Sequence, residues 1–148
     1  CGTGYLALLL KKNGAKEVWA VDRHRPAMEC TMRNAFANHL TLHFLQSDLF
    51  KEVRMQWFNL IVFNQPYYPS LQDIFGPCPD GGKDIIERFL MEVPVYLSQG
   101  GVIIMPFSDM AREEHDPKLI AQNLDYTVST VMEMENEQGS HFVYEIVL

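Results

Sequence analysis

Asn64-Gln65-Pro66-Tyr67 directly follows the apolar run Phe58-Asn59-Leu60-Ile61-Val62-Phe63. A strand that delivers an Asn, a Pro and an aromatic ring to its carboxyl end places an amide oxygen, backbone carbonyls and a flat surface together. Those groups suit a planar amino group, because the oxygens accept its hydrogens while the ring covers its face. The lone pair of an amide or exocyclic amine is delocalised. Two acceptors pulling on its hydrogens localise density on the nitrogen and aim it at an electrophile. Holding two reactants in line accounts for about 7–11 kcal/mol of a barrier, so no dedicated general base is required. Asn and Pro also favour ordinary strand-exit turns, and only joint spacing with other motifs sets that plainer reading aside.

A second segment supplies that spacing. Gly2, Gly4 and Ala7 of Cys1-Gly2-Thr3-Gly4-Tyr5-Leu6-Ala7 fit the G-x-G-x-x-G/A pattern, in which glycines let a tight turn bring backbone against a nucleotide-like ligand. Leu6 to Lys12 reads as a helix start, Asn13-Gly14 stops it, and Glu17-Val18-Trp19-Ala20-Val21-Asp22 reads as a buried strand ending in a carboxylate. Asp22 lies 18 positions beyond Gly4, near where an acidic residue meets ribose hydroxyls in such units. A glycine turn of this type should follow a strand. The expectation is that this first strand, and with it an N-terminal substrate module, precedes Cys1, and that residues 1–148 expressed alone are only marginally folded or prone to aggregate.

The elements that must position these groups alternate. Pro26 suits a first helical turn, and Met28, Met32, Ala35 and Phe36 recur at helical spacing up to His39, with the two methionines expected in the core. Leu42–Gln46 is a short strand closed by Ser47-Asp48. An irregular stretch spans 49–56, the strand to Phe63 follows, and a long loop runs from Asn64 to Lys83. Asp84 is expected to cap a helix reaching Ser98, with Ile85, Ile86, Phe89, Leu90, Val93 and Leu97 inward, a kink at Pro94 and a break at Gly100-Gly101. Val102–Phe107 reads as a buried strand, and Ser108 or Asp109 as the cap of a helix to about Gln122. Tyr126–Glu133 and His141–Leu148 alternate as strands around a hairpin loop, Asn136-Glu137-Gln138-Gly139-Ser140. The fold class is therefore α/β, a Rossmann-like, mostly parallel sheet with a C-terminal antiparallel hairpin.

Composition bounds the classes of function. A chain of 148 residues with 47% hydrophobic content suits one domain, 1–148, burying about 70% of its unfolded surface. Cys1, Cys30 and Cys78 are an odd number without metal spacing, which favours reduced thiols in a cytoplasmic protein. The longest apolar runs fall short of a membrane span. Twelve basic residues against nineteen acidic ones give a net charge of −7, a poor footing for a nucleic-acid clamp, which needs clustered Lys and Arg. The nearest basic cluster is Arg23, His24 and Arg25. The five histidines show no ligand spacing, no Gly-x-Ser-x-Gly elbow is present, and no metal is expected.

The ordered set Cys1-Gly2-Thr3-Gly4, Asp22, Ser47-Asp48-Leu49 and Asn64-Gln65-Pro66-Tyr67, ending in a C-terminal hairpin, resembles the class I S-adenosylmethionine-dependent methyltransferases over essentially the whole chain. Within them it looks like the branch with an (Asn/Asp)-Pro-Pro-(Tyr/Phe) motif, whose members methylate base amino groups or the glutamine amide of peptide release factors. Asp80-Gly81-Gly82-Lys83-Asp84-Ile85-Ile86-Glu87-Arg88-Phe89-Leu90, with Val93-Pro94 and Leu97-Ser98, is similar to the HemK-like glutamine methyltransferases. The resemblance implies that S-adenosyl-L-methionine is bound by Cys1, Gly2, Thr3, Gly4, Asp22, Arg23, Ser47, Asp48, Leu49 and Asn64. It implies that Asn64, Gln65, Pro66 and Tyr67 act on the acceptor, Asn64 through its side-chain oxygen and residue 65 through its carbonyl. Tyr67 would stack on the planar group and face the cationic donor, worth about 0.5–2 kcal/mol.

One residue departs from the pattern. Gln65 stands where the family has its first proline; it keeps the carbonyl but loses the ring that fixes φ near about −65°, so the loop should be less pre-organised. The preferred partner is a protein substrate of release-factor type, with RNA or DNA base methylation as the alternative if an absent module binds the nucleic acid. A non-catalytic methyltransferase-like subunit would keep the same motifs, with Gln65 in its favour. A NAD-dependent oxidoreductase would share Gly2, Gly4, Ala7 and Asp22 but would not call for Asn-x-Pro-Tyr or the terminal hairpin. Tyr68 and Phe75 are candidate substrate contacts, although rings under long loops more often pack. No residue pattern selects an oligomeric state.

Overall fold

The computed structural model describes residues 1–66, 82–137 and 139–148. They form two compact units, 1–56 and 57–148. Tyr67, Tyr68, Phe75, Cys78 and the Asp80-Gly81 pair lie outside the described residues.

In the first unit, α1 (Tyr5–Lys12) leads to β1 (Trp19–Asp22), α2 (Arg25–Ala37) and β2 (His43–Gln46). Strands β1 and β2 are parallel, Trp19 opposite His43 through Asp22 opposite Gln46. Asn13 ends α1 and Gly14 turns the chain at φ 94°, as the Asn-Gly pair foretells. Small residues bring helix and sheet together: Ala7, Val18, Ala20, Ala35 and Leu42 form the core, flanked by Leu10, Ala15, Leu40 and Phe44. Helix α2 starts with a proline in its first turn and buries Met28, Thr31 and Ala35. That face is narrower than its apolar spacing suggests. Met32, expected in the core, and Phe36 are 50% and 86% exposed, because they sit one position round from Thr31 and Ala35, about 100° away on a 3.6-residue helix.

The second unit carries β3 (Phe58–Val62), α3 (Lys83–Glu92), β4 (Leu97–Ser108), α4 (Pro117–Asn123), β5 (Thr127–Asn136) and β6 (Gly139–Val147), with 3₁₀ turns at Val93–Val95 and Glu113–His115. Its strand order is β3-β4-β6-β5. The β3–β4 pair is parallel and the other two are antiparallel, so this sheet is mixed. Ile103, Met105 and Phe107 alternate inward along β4 and meet Tyr144 and Ile146 of β6 in a core completed by Ile86, Phe89 and Leu90 of α3. The Tyr126 hydroxyl donates to the Leu90 carbonyl at 2.6 Å.

Three element boundaries differ from the sequence expectation. The helix meant to reach Ser98 ends at Glu92, where Pro94, lacking an N–H, turns the chain into a 3₁₀ turn, and its cap is Gly82 instead of Asp84. Strand β4 then begins at Leu97 and runs through Gly100-Gly101; Phe58 pairs with Leu97 but Leu60 with Val102, so the glycine pair forms a bulge, Gly100 at φ 71°. The helix expected from Ser108 or Asp109 starts only at Pro117, with the Asp116 carboxylate accepting from Lys118 N–H at 2.8 Å. The hairpin is tighter than its five-residue composition implies, since Asn136 pairs directly with Gly139.

Candidate functional site

The glycine turn stands at the carboxyl edge of the β1–β2 ladder. Gly2 and Gly4 take φ 59° and 79°, values that favour glycine. A Cβ on Gly4 would lie 2.5 Å from Thr31 Cγ2, whereas one on Gly2 would meet nothing within 4 Å. Gly4 is thus needed for packing on α2, and Gly2 faces open space. The turn is closed by Gly4 N–H donating to the Cys1 carbonyl at 2.9 Å.

Asp22, at the end of β1, points back at this turn. Its Oδ2 accepts from Gly2 N–H at 2.9 Å and lies 2.7 Å from the Cys1 nitrogen, while Oδ1 accepts from His24 N–H at 2.8 Å. Burial alone would raise its pKa; in residues 1–148 the hydrogen bonds from Gly2 and His24, with the bond and the charge of the amino group at Cys1, outweigh burial and hold it below the usual 3.8. Three of its roughly four lone-pair positions are used by the protein, so Asp22 shapes the turn and keeps about one acceptor for a ligand hydroxyl. Arg23 beside it is exposed, its Nε donating to His24 Nε2 at 3.0 Å.

Two α2 residues that no sequence motif singles out also hold the turn. The fully buried Thr31 donates its hydroxyl to the Gly2 carbonyl at 3.1 Å, and Asn34 donates to the Thr3 carbonyl at 2.8 Å. The available signal was their i, i+3 spacing, which puts both on one helix face.

Ser47-Asp48-Leu49 follows β2. Ser47 N–H donates to the Asp22 carbonyl at 3.0 Å, which draws this segment to the end of β1. The buried Ser47 hydroxyl accepts from Glu52 N–H at 2.9 Å and so shapes the following turn. Leu49 has φ 49°; a bulky residue there costs about 1–2 kcal/mol, a local strain beside the half-buried Asp48.

In the second unit, Asn64, Gln65 and Pro66 leave the carboxyl end of β3. Asn64 is exposed and Gln65 buried. The β3–β4 ladder continues to Phe63 N–H on the Ile104 carbonyl at 3.0 Å, and its next rung would join the Gln65 and Pro106 backbones. The Gln65 side chain makes that rung instead, Nε2 donating to the Pro106 carbonyl at 2.6 Å. A carbonyl partner fixes the amide orientation and leaves Oε1 buried without a partner among the described residues. Gln65 therefore anchors the strand exit. The Pro66 carbonyl and the buried His115 ring both press on Gly82, where a Cβ would lie 3.2 Å from the one and 2.9 Å from His115 Nδ1. Gly82, at φ 39°, thereby lets the start of α3 approach the tetrad's backbone.

Parallel strands with a glycine turn and an acid at their carboxyl ends in one unit, and in the other a mixed sheet with an exposed amide after β3, define an α/β methyltransferase domain of the S-adenosylmethionine-dependent class. Residues 1–139 match the methyltransferase small domain family, to which the chain belongs. A Methanocaldococcus jannaschii protein whose name assigns it provisionally to the protein N5-glutamine methyltransferases is 36% identical over 121 residues, 76% of this chain and 61% of that protein. The ribosomal protein L11 methyltransferase of Thermosipho melanesiensis is 31% identical over 105 residues, 71% of this chain and 34% of that protein. The chain thus spans between a third and two thirds of these relatives. In fold it is similar to the Thermus thermophilus 16S rRNA N2 G1207 methyltransferase, solved with AdoMet and guanosine, at a TM-score of 0.71, 23% identity, 97% of this chain and 35% of that one. Among the described residues no helix is long and apolar enough to cross a membrane.

Proposed function

We propose that the protein is an S-adenosylmethionine-dependent N-methyltransferase acting on a planar amino or amide nitrogen, with a protein glutamine of release-factor type as acceptor. The observation that carries this reading is the β3 exit. Asn64 is exposed while its neighbour Gln65 is buried and tied to Pro106, so the Asn64 amide is presented on a backbone that does not have to reorganise. Its side-chain oxygen and the residue 65 carbonyl accept the two hydrogens of the target NH2 and orient the nitrogen lone pair.

The first unit's residues fit the methyl donor. Gly2 is open to a ligand's approach, Asp22 is ionised beside it with spare acceptor capacity for a ribose hydroxyl, and Asp48 stands at the end of the neighbouring strand. S-adenosylmethionine supplies, when bound, a methyl group on a cationic sulfur. A protein acceptor is favoured over RNA by the net charge of −7, because phosphate contacts need clustered cations, and by the name of the M. jannaschii relative.

The test is transfer of labelled methyl by the full-length protein to a peptide release factor and to ribosomal RNA in parallel. Label on a glutamine of the release factor is expected. Label on RNA alone would overturn the acceptor, and donor binding without transfer to either would favour a non-catalytic subunit.

A further inference from the structure

We propose that Thr31 and Asn34 are positioning residues for the cofactor, which clamp two carbonyls of the glycine turn against α2 and thereby turn the Thr3 N–H outward as a donor to the bound ligand. The inference rests on the reading that this turn holds S-adenosylmethionine.

Peptide geometry makes the argument. The chain has no cis peptide bond among its described residues, and in a trans peptide the C=O and N–H point in opposite directions. The Gly2 carbonyl is drawn toward α2 by the Thr31 hydroxyl at 3.1 Å, so the N–H of the same peptide, that of Thr3, faces away from α2. The next peptide is held at both ends, its Thr3 carbonyl by Asn34 at 2.8 Å and its Gly4 N–H by the Cys1 carbonyl at 2.9 Å. The Gly2 N–H belongs to Asp22. Of the three amides in Gly2-Thr3-Gly4, two are consumed within the turn and the third is aimed outward at an exposed residue.

Thr31 is suited to this work. A hydroxyl carries one hydrogen, which goes to Gly2, leaving the Cys1 thiol 3.3 Å away as donor to the same oxygen. Its methyl group meanwhile stands where a Cβ on residue 4 would be. Packing and hydrogen bonding are thus separate parts of one side chain. Valine retains the first and loses the second, and serine does the opposite.

The experiment is calorimetric titration of S-adenosylhomocysteine into full-length wild type, Thr31→Val, Thr31→Ser and Asn34→Ala, each with a thermal unfolding curve and the Thr3 amide signal followed by NMR. Loss of one such bond corresponds to about 2- to 12-fold in affinity. Thr31→Val is expected to bind within that range more weakly with a modestly lower Tm, because the Gly2 carbonyl loses its donor, and with a smaller ligand-induced shift of the Thr3 amide, while Thr31→Ser binds within about twofold of wild type. Equal affinity of Thr31→Val and wild type would overturn the clamp, as would equal losses in Thr31→Val and Thr31→Ser, which would mark a packing role. Should Thr31→Val not fold, Asn34→Ala decides in the same way: weaker binding supports the clamp and unchanged binding overturns it. A wild type that does not bind overturns the cofactor reading along with it.

Discussion

The glycine turn lies at the carboxyl edge of the β1–β2 ladder and the tetrad follows β3 in the chain, but their backbones are held by different means. The turn is gripped by side chains distant in sequence, Asp22, Thr31 and Asn34, which reach its amides and carbonyls across 20 to 31 positions. The tetrad extends a β ladder by one rung, with the amide of Gln65 in place of a backbone N–H. A turn outside the sheet has no ladder to continue, so side chains must orient its peptides; a strand exit inherits its orientation from the sheet. Substitutions should accordingly affect donor affinity in the first region and turnover in the second.

The largest expected effect tests that division directly. Asn64→Ala should lower turnover by about 100-fold or more, the scale for one preorganised polar group, with donor affinity nearly unchanged; steady-state rates beside calorimetric titration measure both. Undiminished turnover would remove the amine-holding role from the tetrad. Asp22→Ala should act the opposite way, costing about 1.5–3 kcal/mol of donor affinity. The same carboxylate gives a pH test. Its folded pKa lies below the usual 3.8, so the stability from its bonds is present above that value and is lost as pH falls through the depressed one. A carboxyl ¹³C titration of residues 1–148 that places Asp22 at or above 3.8 would contradict the contacts that Gly2, His24 and the Cys1 amino group make with it.

Gly4→Ala sharpens the same comparison from the packing side. A Cβ 2.5 Å from Thr31 Cγ2, on a backbone at φ 79°, should destabilise the protein by about 1–3 kcal/mol, read in denaturant unfolding, whereas Gly2→Ala meets open space and bears only the φ penalty. In the second unit, Tyr126→Phe should cost about 0.5–1.5 kcal/mol by leaving the Leu90 carbonyl unpaired. Burial pushes the Tyr126 hydroxyl up to about 12. Its contribution is therefore complete below pH 10 and disappears as pH rises through about 12, which alkaline unfolding of wild type against the Phe variant would resolve.

The smallest effect is expected at Gln65→Pro. Proline would fix φ but delete the bond to Pro106 while also removing the unpartnered Oε1, two terms of about 1 kcal/mol and opposite sign. Stability should change by less than about 1 kcal/mol, and turnover should hold or rise if residue 65 already has a proline-compatible backbone. A loss of several kcal/mol in denaturant unfolding would show that the side-chain rung is indispensable.

Local pattern was enough for much of this protein. The two glycines, the strand ending at Asp22, the strand delivering Asn64 and the terminal hairpin are all written in short-range periodicity and turn chemistry, because each depends on residues within one element. The stop of α3 before Pro94 and the start of α4 at Pro117 are also present as prolines, which outweigh the helical pattern around them. Other features are set by contacts that no window of neighbouring residues contains. Gln65 looked like a looser proline, yet β4 offers it a carbonyl that only the ladder register places there. No sequence motif marks Thr31 or Asn34, yet the approach of α2 to Gly4 makes them hydrogen-bond donors to the turn. Met32 looked like core, yet the buried face of α2 is only as wide as the contact it makes. The residue types and their order determined which chemistry was available, and the tertiary structure decided which backbone groups were held, because hydrogen-bond partners distant in sequence exist only once the strands have set their register.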